Sequence, residues 1–198
     1  MPQAALFLDR DGVINVDHGY VHRIEQITFL PGIFDLARFA VCDLRWPVIV
    51  TTNQAGIGRG LFDEAQFQAL MAWICERFKA ESAPITRIYH CPYHPEHGIG
   101  SYRLDHPWRK PKPGMILQAA RDLDLAPGES ALVGDKMSDI EAGAAAGVGM
   151  LIRLAPPSAA PDPPGPAHKV AADLGSVTKL LKDWQRLRPK DRRLQAAT

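Results

Sequence analysis

Little in this chain ties it to a membrane, a nucleic acid or an oxidising compartment. Its three cysteines, Cys42, Cys75 and Cys91, are too few and odd in number for a disulfide framework, which agrees with a reducing environment. No apolar run approaches the roughly 18 residues of a membrane span. The start, MPQAALFLDRDG, has no basic stretch followed by an apolar one, so no export signal is read there and a cytoplasmic location is expected. A formal net charge of +1 gives no field that favours nucleic acid or anionic lipid. No internal repeat is present.

What is present is ordinary for a soluble globular chain: 198 residues, enough for one core, with any second domain necessarily small. Short apolar runs alternate with longer periodic segments, as expected for βαβ units and an α/β, doubly wound, mostly parallel sheet. Ala4–Leu8, Pro47–Val50, Ile85–His90, Ala131–Gly134 and Gly149–Leu154 read as strands, and 169–171 as a short sixth. A helix is expected from Asp63, with Gln66 completing a capping box and Phe67, Leu70, Met71, Ile74 and Phe78 at helical spacing. Cys75 lies in the same pattern and reads as packing. Pro113 opens a second helix, Ser138 and Glu141 suggest a capping box for a third, and Leu180, Leu181 and Trp184 mark a last one. One domain over residues 1–185 is expected, with a His- and Pro-rich loop at 91–113, a Pro-rich mobile connection at 155–166 and a frayed tail at 186–198.

In an open parallel sheet, ligands bind beyond the carboxyl ends of the strands. Four polar clusters fall there: Asp9-Arg10-Asp11-Gly12, Thr51-Thr52-Asn53-Gln54, Arg109-Lys110, and Gly134-Asp135-Lys136 with Asp139. Extended backbone points Asp9 and Asp11, two residues apart, the same way. One carboxylate can then attack while the other moves a proton. A phosphate dianion will not approach such a pair unaided: two unit charges about 4 Å apart repel by roughly 4 kcal/mol at an effective dielectric near 20. Asp9, Asp135 and Asp139 offer oxygen ligands suited to Mg²⁺, Lys110 a fixed positive charge and Thr52 a hydroxyl donor. Taken singly, each piece is also compatible with a solvated turn, a cap or a surface cation.

Together, FLDRDGVIN, VTTNQAGIGRG, RKPKPGM and LVGDKMSDIEAG resemble the four signature motifs of haloacid dehalogenase (HAD) phosphatases. More narrowly, they resemble the D-glycero-D-manno-heptose 1,7-bisphosphate phosphatases and the related histidinol-phosphate phosphatases. The resemblance spans Ala4 to Leu154 and implies a HAD-like Rossmannoid fold. The short intervals between the motifs leave no room for a large cap domain. The resemblance further implies a Mg²⁺-dependent phosphomonoester hydrolase in which Asp9 is the nucleophile and Asp11 the acid/base. Thr52 and Lys110 would hold the phosphoryl group. Mg²⁺ would lie on Asp9, the Asp11 carbonyl and Asp135, with Asp139 supporting that site. Arg10, Asp17, His18, Gly19, Tyr20, Asn53, Gln54, Arg109 and Lys136 match substrate contacts. Arg109 suits a second phosphate because its fork can bond two oxygens at once.

The implied reaction removes the C7 phosphate of heptose 1,7-bisphosphate. Histidinol phosphate or another small metabolite is the alternative substrate, and a receiver-like phospho-acceptor switch the non-enzymatic alternative. The expected partner is a small phosphorylated metabolite, with no nucleic acid, no membrane and a monomeric chain. The heptose enzymes commonly carry a zinc on a Cys-x-His and a Cys-x-Cys pair ahead of the Arg-Lys. Here Cys91 remains, Tyr93 replaces the His, and His106 and Trp108 replace the later cysteines. Zinc is therefore not expected; Cys91, His94, His97 and His106 are the alternative ligand set, against a loop braced by its prolines.

Overall fold

Residues that alternate in sequence part to opposite faces of a sheet, and that rule organises the molecule. The computed structural model describes residues 2–187 apart from 160 and 162, so the expected tail beyond 187 lies outside the described residues. Six strands appear in chain order: β1 (Leu6–Leu8), β2 (Val48–Asn53), β3 (Ile85–Cys91), β4 (Ala131–Gly134), β5 (Met150–Leu154) and β6 (Lys169–Ala171). All neighbours pair in parallel, in the order β3-β2-β1-β4-β5-β6. The chain starts mid-sheet, builds to one edge and returns to build the other. The switch point therefore lies where β1 is flanked by β2 and β4, the position at which such sheets bind ligands.

The helices are α1 (Ile33–Arg38, continuing as a π turn through Asp43), α2 (Ala55–Gly58), α3 (Glu64–Ala80), α4 (Gly114–Asp122), α5 (Met137–Ala145) and α6 (Leu174–Leu187). Leu6, Leu8, Val48, Val50, Val133 and Ile152 pack with α1, α3 and α6. Phe7, Ile49, Leu132 and Leu151, the alternate residues, pack with α4 and α5. Both faces are thus covered, as a parallel sheet requires. None of the helices is long and apolar enough to cross a membrane among the described residues.

The capping box of α3 forms as read: Asp63 Oδ1 accepts from the Gln66 N–H at 2.7 Å and Gln66 Oε1 from the Asp63 N–H at 2.9 Å. The α5 cap differs from expectation. Lys136 precedes the helix, and its N–H donates to Asp139 Oδ2 at 3.0 Å, while Ser138 sits inside the first turn. Asp139 serves the cap better because a carboxylate accepts from backbone N–H groups in the first turn and faces the positive end of the helix. β2 also runs further than expected: Thr51, Thr52 and Asn53 pair with Tyr89, His90 and Cys91, so they lie on the strand rather than after it. No helix or strand occurs in the expected connection, 155–166, among its described residues.

Ser130 ties the start of β4 to β1. Its hydroxyl accepts from the Ala5 N–H at 3.0 Å, donates to Ala126 O at 2.7 Å, and is fully buried. Ser130→Ala strands that N–H, so unfolding free energy should drop by about 1–3 kcal/mol, read as a lower urea midpoint at constant m-value. An unmoved midpoint would mean that Ala5 finds another acceptor.

Candidate active site

β1 ends at the switch point and delivers Asp9 there, its N–H held by Val133 O of β4 at 3.0 Å. The chain then turns on Gly12, at φ +88°, where an added Cβ would overlap the Asp135 carboxylate. Only glycine allows both the left-handed backbone and that approach. Gly134 does the same for the second acidic segment: a Cβ there would collide with the Asp139 side chain. Asp9, Asp135 and Asp139 consequently offer oxygens that all lie within 4.8 Å of one another.

Lys110 enters this cluster from the long loop and is nearly inaccessible, with 5% of its surface exposed. Its ammonium lies 2.9 Å from Asp9 Oδ1 and 2.5 Å from Asp139 Oδ1, and donates to Thr51 O at 2.9 Å. Its backbone is bracketed by one side chain: Asn53 Nδ2 donates to Lys110 O and Asn53 Oδ1 accepts from Lys110 N–H, both at 3.1 Å. Asn53, expected to touch substrate, lines the cleft while spending its amide on positioning Lys110. Thr52 Oγ1 accepts from Gln54 Nε2 at 2.8 Å, which leaves its own proton to donate.

Asp11 is held from three sides. Arg10 Nη2 reaches its Oδ2 at 2.6 Å, Gln54 Nε2 the same oxygen at 3.1 Å, and Asn15 Nδ2 its Oδ1 at 3.1 Å. Arg10 was expected among the substrate contacts. It lies instead fully buried, donating also to Val21 O at 2.7 Å, and does not line the cleft. A buried guanidinium needs partners, and Arg10 finds them inside the protein through Nε and Nη2, while Nη1 is buried without one.

The cleft above these residues holds about 420 Å³, within the range of small-molecule sites. Asp17, Gly19, Tyr20, Gln54, Arg109 and Lys136 line it, whereas His18 is exposed and outside it. An ion pair between Lys136 Nζ and Asp17 Oδ2, at 3.0 Å, crosses its mouth. The alternative zinc residues do not converge. Cys91 is buried with its thiol toward Tyr93 O, the His94 and His97 rings lie tilted 4.6 Å apart, and His106 stacks against Tyr93 at 4.4 Å. The one ligand-type group of three or more among the described residues is the aspartate cluster.

Residues 107–175 match the family model described as HAD-hydrolase-like. The chain is 56% identical over 154 residues to the D-glycero-alpha-D-manno-heptose-1,7-bisphosphate 7-phosphatase of Burkholderia mallei, covering 78% of this chain and 81% of that one. This chain belongs to the heptose-bisphosphate phosphatase family of the HAD superfamily. The family's D-glycero-beta-D-manno-heptose-1,7-bisphosphate 7-phosphatase from Escherichia coli K12 is 39% identical over 184 residues, covering 92% and 95% of the two chains. Among solved structures, the D,D-heptose 1,7-bisphosphate phosphatase of B. bronchiseptica, complexed with magnesium and phosphate, superposes with a TM-score of 0.73 at 26% identity, covering 92% and 99%. Like its family, the chain is a phosphoric monoester hydrolase, which sets aside the receiver-like alternative.

In this family member the acidic cluster is short of positive charge. Burial pushes Asp9 up to about 7, with Asp139 and Asp135 adding to the rise and Lys110 opposing it. Burial likewise lifts Asp135 to about 6. Burial would strip Lys110 of its proton, but Asp139 and Asp9 together outweigh it and the net movement is upward. Asp135 Oδ1 is buried with no hydrogen-bond partner, while both oxygens of Asp139 are engaged by Lys110 and the Lys136 N–H. An unpartnered buried carboxylate oxygen beside Asp9 is the coordination a hard divalent cation satisfies. The residues present therefore fit such an ion.

Sequence reasoning missed three contributors. Asn15 serves through its amide to Asp11, and the buried role of Arg10 depends on contacts with Val21 and Gln54 that no local pattern announces. Arg59 lines the cleft too, and its only signal was its place inside the VTTNQAGIGRG motif.

The raised carboxyls fix a sign for pH dependence. An unfolded aspartate ionises near 3.8, so above that pH the folded chain keeps protons that the unfolded chain has released. Stability contributed by these groups therefore falls as pH rises through about 6 for Asp135 and about 7 for Asp9. In chelator-treated protein, Asp135→Asn should raise Tm by a few degrees at about pH 8, on the order of 1–3 kcal/mol. The gain should be clearly smaller at about pH 4.5 and vanish at about pH 3. An equal gain throughout would remove electrostatic strain as its cause.

Proposed function

We propose that this hydrolase removes the C7 phosphate of D-glycero-D-manno-heptose 1,7-bisphosphate through an aspartyl-phosphate formed on Asp9. The observation that carries the reading is the buried contact of Lys110 with Asp9 and Asp139, beside the unpartnered oxygen of Asp135 and beneath a cleft of small-metabolite size. The names of the relatives supply the sugar. Residues 1–185 act as one catalytic unit, and the chemistry needs neither nucleic acid nor membrane.

In the first half-reaction an Asp9 oxygen attacks phosphorus and the bond from phosphorus to the sugar oxygen breaks. Asp11 delivers a proton to the departing alkoxide. In the second, the Asp11 carboxylate takes a proton from water as that water attacks phosphorus, releasing inorganic phosphate and restoring Asp9. Lys110 and the Thr52 hydroxyl hold the non-transferring oxygens, which matters because phosphoryl transfer is governed by positioning and charge. Asp9, Asp135 and the Asp11 carbonyl would hold Mg²⁺ with Asp139 behind them, and the ion supplies the positive charge that lets a phosphate dianion approach these carboxylates. Arg10 and Asn15 keep Asp11 over the cleft, while Asp17, Gly19, Tyr20 and Lys136 shape its mouth around the sugar.

Asp9→Asn should lower kcat at least 1,000-fold (an order-of-magnitude expectation for losing a nucleophile) with an unchanged circular-dichroism spectrum; retained turnover would take the nucleophile's role from Asp9. Asp11→Asn should slow both half-reactions, and acid quenching should trap phosphorylated protein. The substrate is tested by kcat/KM on both anomers of the heptose bisphosphate, on histidinol phosphate and on fructose 1,6-bisphosphate, with and without Mg²⁺. The heptose bisphosphate should lead, with activity lost on chelation. A large preference for histidinol phosphate would overturn the sugar assignment.

A further inference from the structure

Besides the acidic cluster, the cleft carries two arginines of its own. Arg59, just past the end of α2, and Arg109, in the long loop, both line it. The Arg59 side chain makes no hydrogen bond or ion pair among the described residues, and its Nε is buried without a partner. Its guanidinium carbon lies 5.6 Å from the centre of the Tyr20 ring. Arg109 spends a single N–H on Tyr93 O, at 3.2 Å. The two guanidiniums are near enough that Arg59, after burial, helps draw the Arg109 pKa down, and both do the same to His94, which shares the cleft.

Two other arginines at buried or half-buried positions are answered by acids. Arg38 meets Asp35 and Glu81, and Arg10 meets Asp11. Neither guanidinium makes an ion pair with a carboxylate among the described residues, so an anionic ligand in the cleft could engage both forks. Tyr20 holds Arg59 in place from below. It adopts φ +50°, a left-handed conformation rare for an aromatic residue, and its ring lies against α2 so closely that a side chain at Gly56 would touch it.

We propose that Arg59 is a specificity-determining residue which, with Arg109, grips the second phosphate of a doubly phosphorylated sugar while the first sits over Asp9. The inference rests on the sugar-bisphosphate reading above and adds the residue that makes the enzyme favour bisphosphates. Arg59 takes no part in bond breaking. Its contribution is binding energy at the end of the substrate remote from the chemistry, so its loss should fall on KM.

The test compares the heptose 1,7-bisphosphate with the heptose 7-phosphate, which lacks the second phosphate, for wild type, Arg59→Ala and Arg59→Lys. Arg59→Ala should lower the kcat/KM ratio of bisphosphate to monophosphate by roughly 10- to 100-fold, the worth of a charge-assisted contact, with the loss carried by KM. Arg59→Lys, keeping the charge but not the fork, should fall between. If both substrates lose equally, Arg59 only braces the Tyr20 loop and the proposal fails. It fails too if the ratio does not move. A wild type that prefers histidinol phosphate would overturn the sugar reading itself, and does so before any variant is made.

Discussion

A lysine ammonium with almost no access to water is the constraint around which this molecule is arranged. Burying an unpaired cation costs several kcal/mol, and burying it beside one carboxylate of uncertain geometry regains only part of that. Lys110 avoids the penalty by pairing with Asp9 and Asp139 while donating to the Thr51 carbonyl. Meeting those partners demands that β1, β2, α5 and the long loop end within a few ångströms of each other. Asn53 fixes the backbone of Lys110, Gly134 lets Asp139 lie against the strand end, and Gly12 lets Asp135 approach the turn after β1.

The same cluster explains why the cleft is split into unlike halves. Three carboxylates answered by Lys110, and by Lys136 at 3.8 Å from Asp135, still leave the floor acidic. The outer wall reverses the sign with Arg59 and Arg109. A ligand whose two ends are both anionic must therefore meet the floor through a metal ion and the wall directly. That asymmetry gives such a ligand one preferred direction in the cleft, which is how an enzyme can distinguish two phosphates on one sugar.

Much of the fold was legible because strand ends in a parallel sheet carry abrupt chemical changes. Phe7-Leu8-Asp9 and Leu132-Val133-Gly134-Asp135 pass from buried apolar residues to carboxylates within a step or two, and both breaks mark the rim. The apolar alternation that separates Leu6 and Leu8 from Phe7 told which sides needed covering. What could not be read depended on partners distant in sequence. Arg10 sits in a motif of polar residues and looks like a ligand contact; only Val21 and Gln54, brought in by folding, turn it inward. Ser138 matched a capping pattern, yet Asp139 one residue later made the better acceptor. Asn53 and Arg59 share one motif, and nothing local distinguishes the residue that braces a lysine from the one that faces open space. α1 and its π turn carried no cap or periodic signal clear enough to announce them.

The bracket between Asn53 and Lys110 spans 57 residues, and Lys110 then closes on Asp9 and on Asp139, near opposite ends of the sheet's history in the chain. Contacts of such separation form late, after the central strands have paired. During synthesis, an emerging chain that lacks α5 has Asp9 but no complete cage around it. The cage around Asp9 is therefore a product of tertiary structure that no single segment of the chain carries.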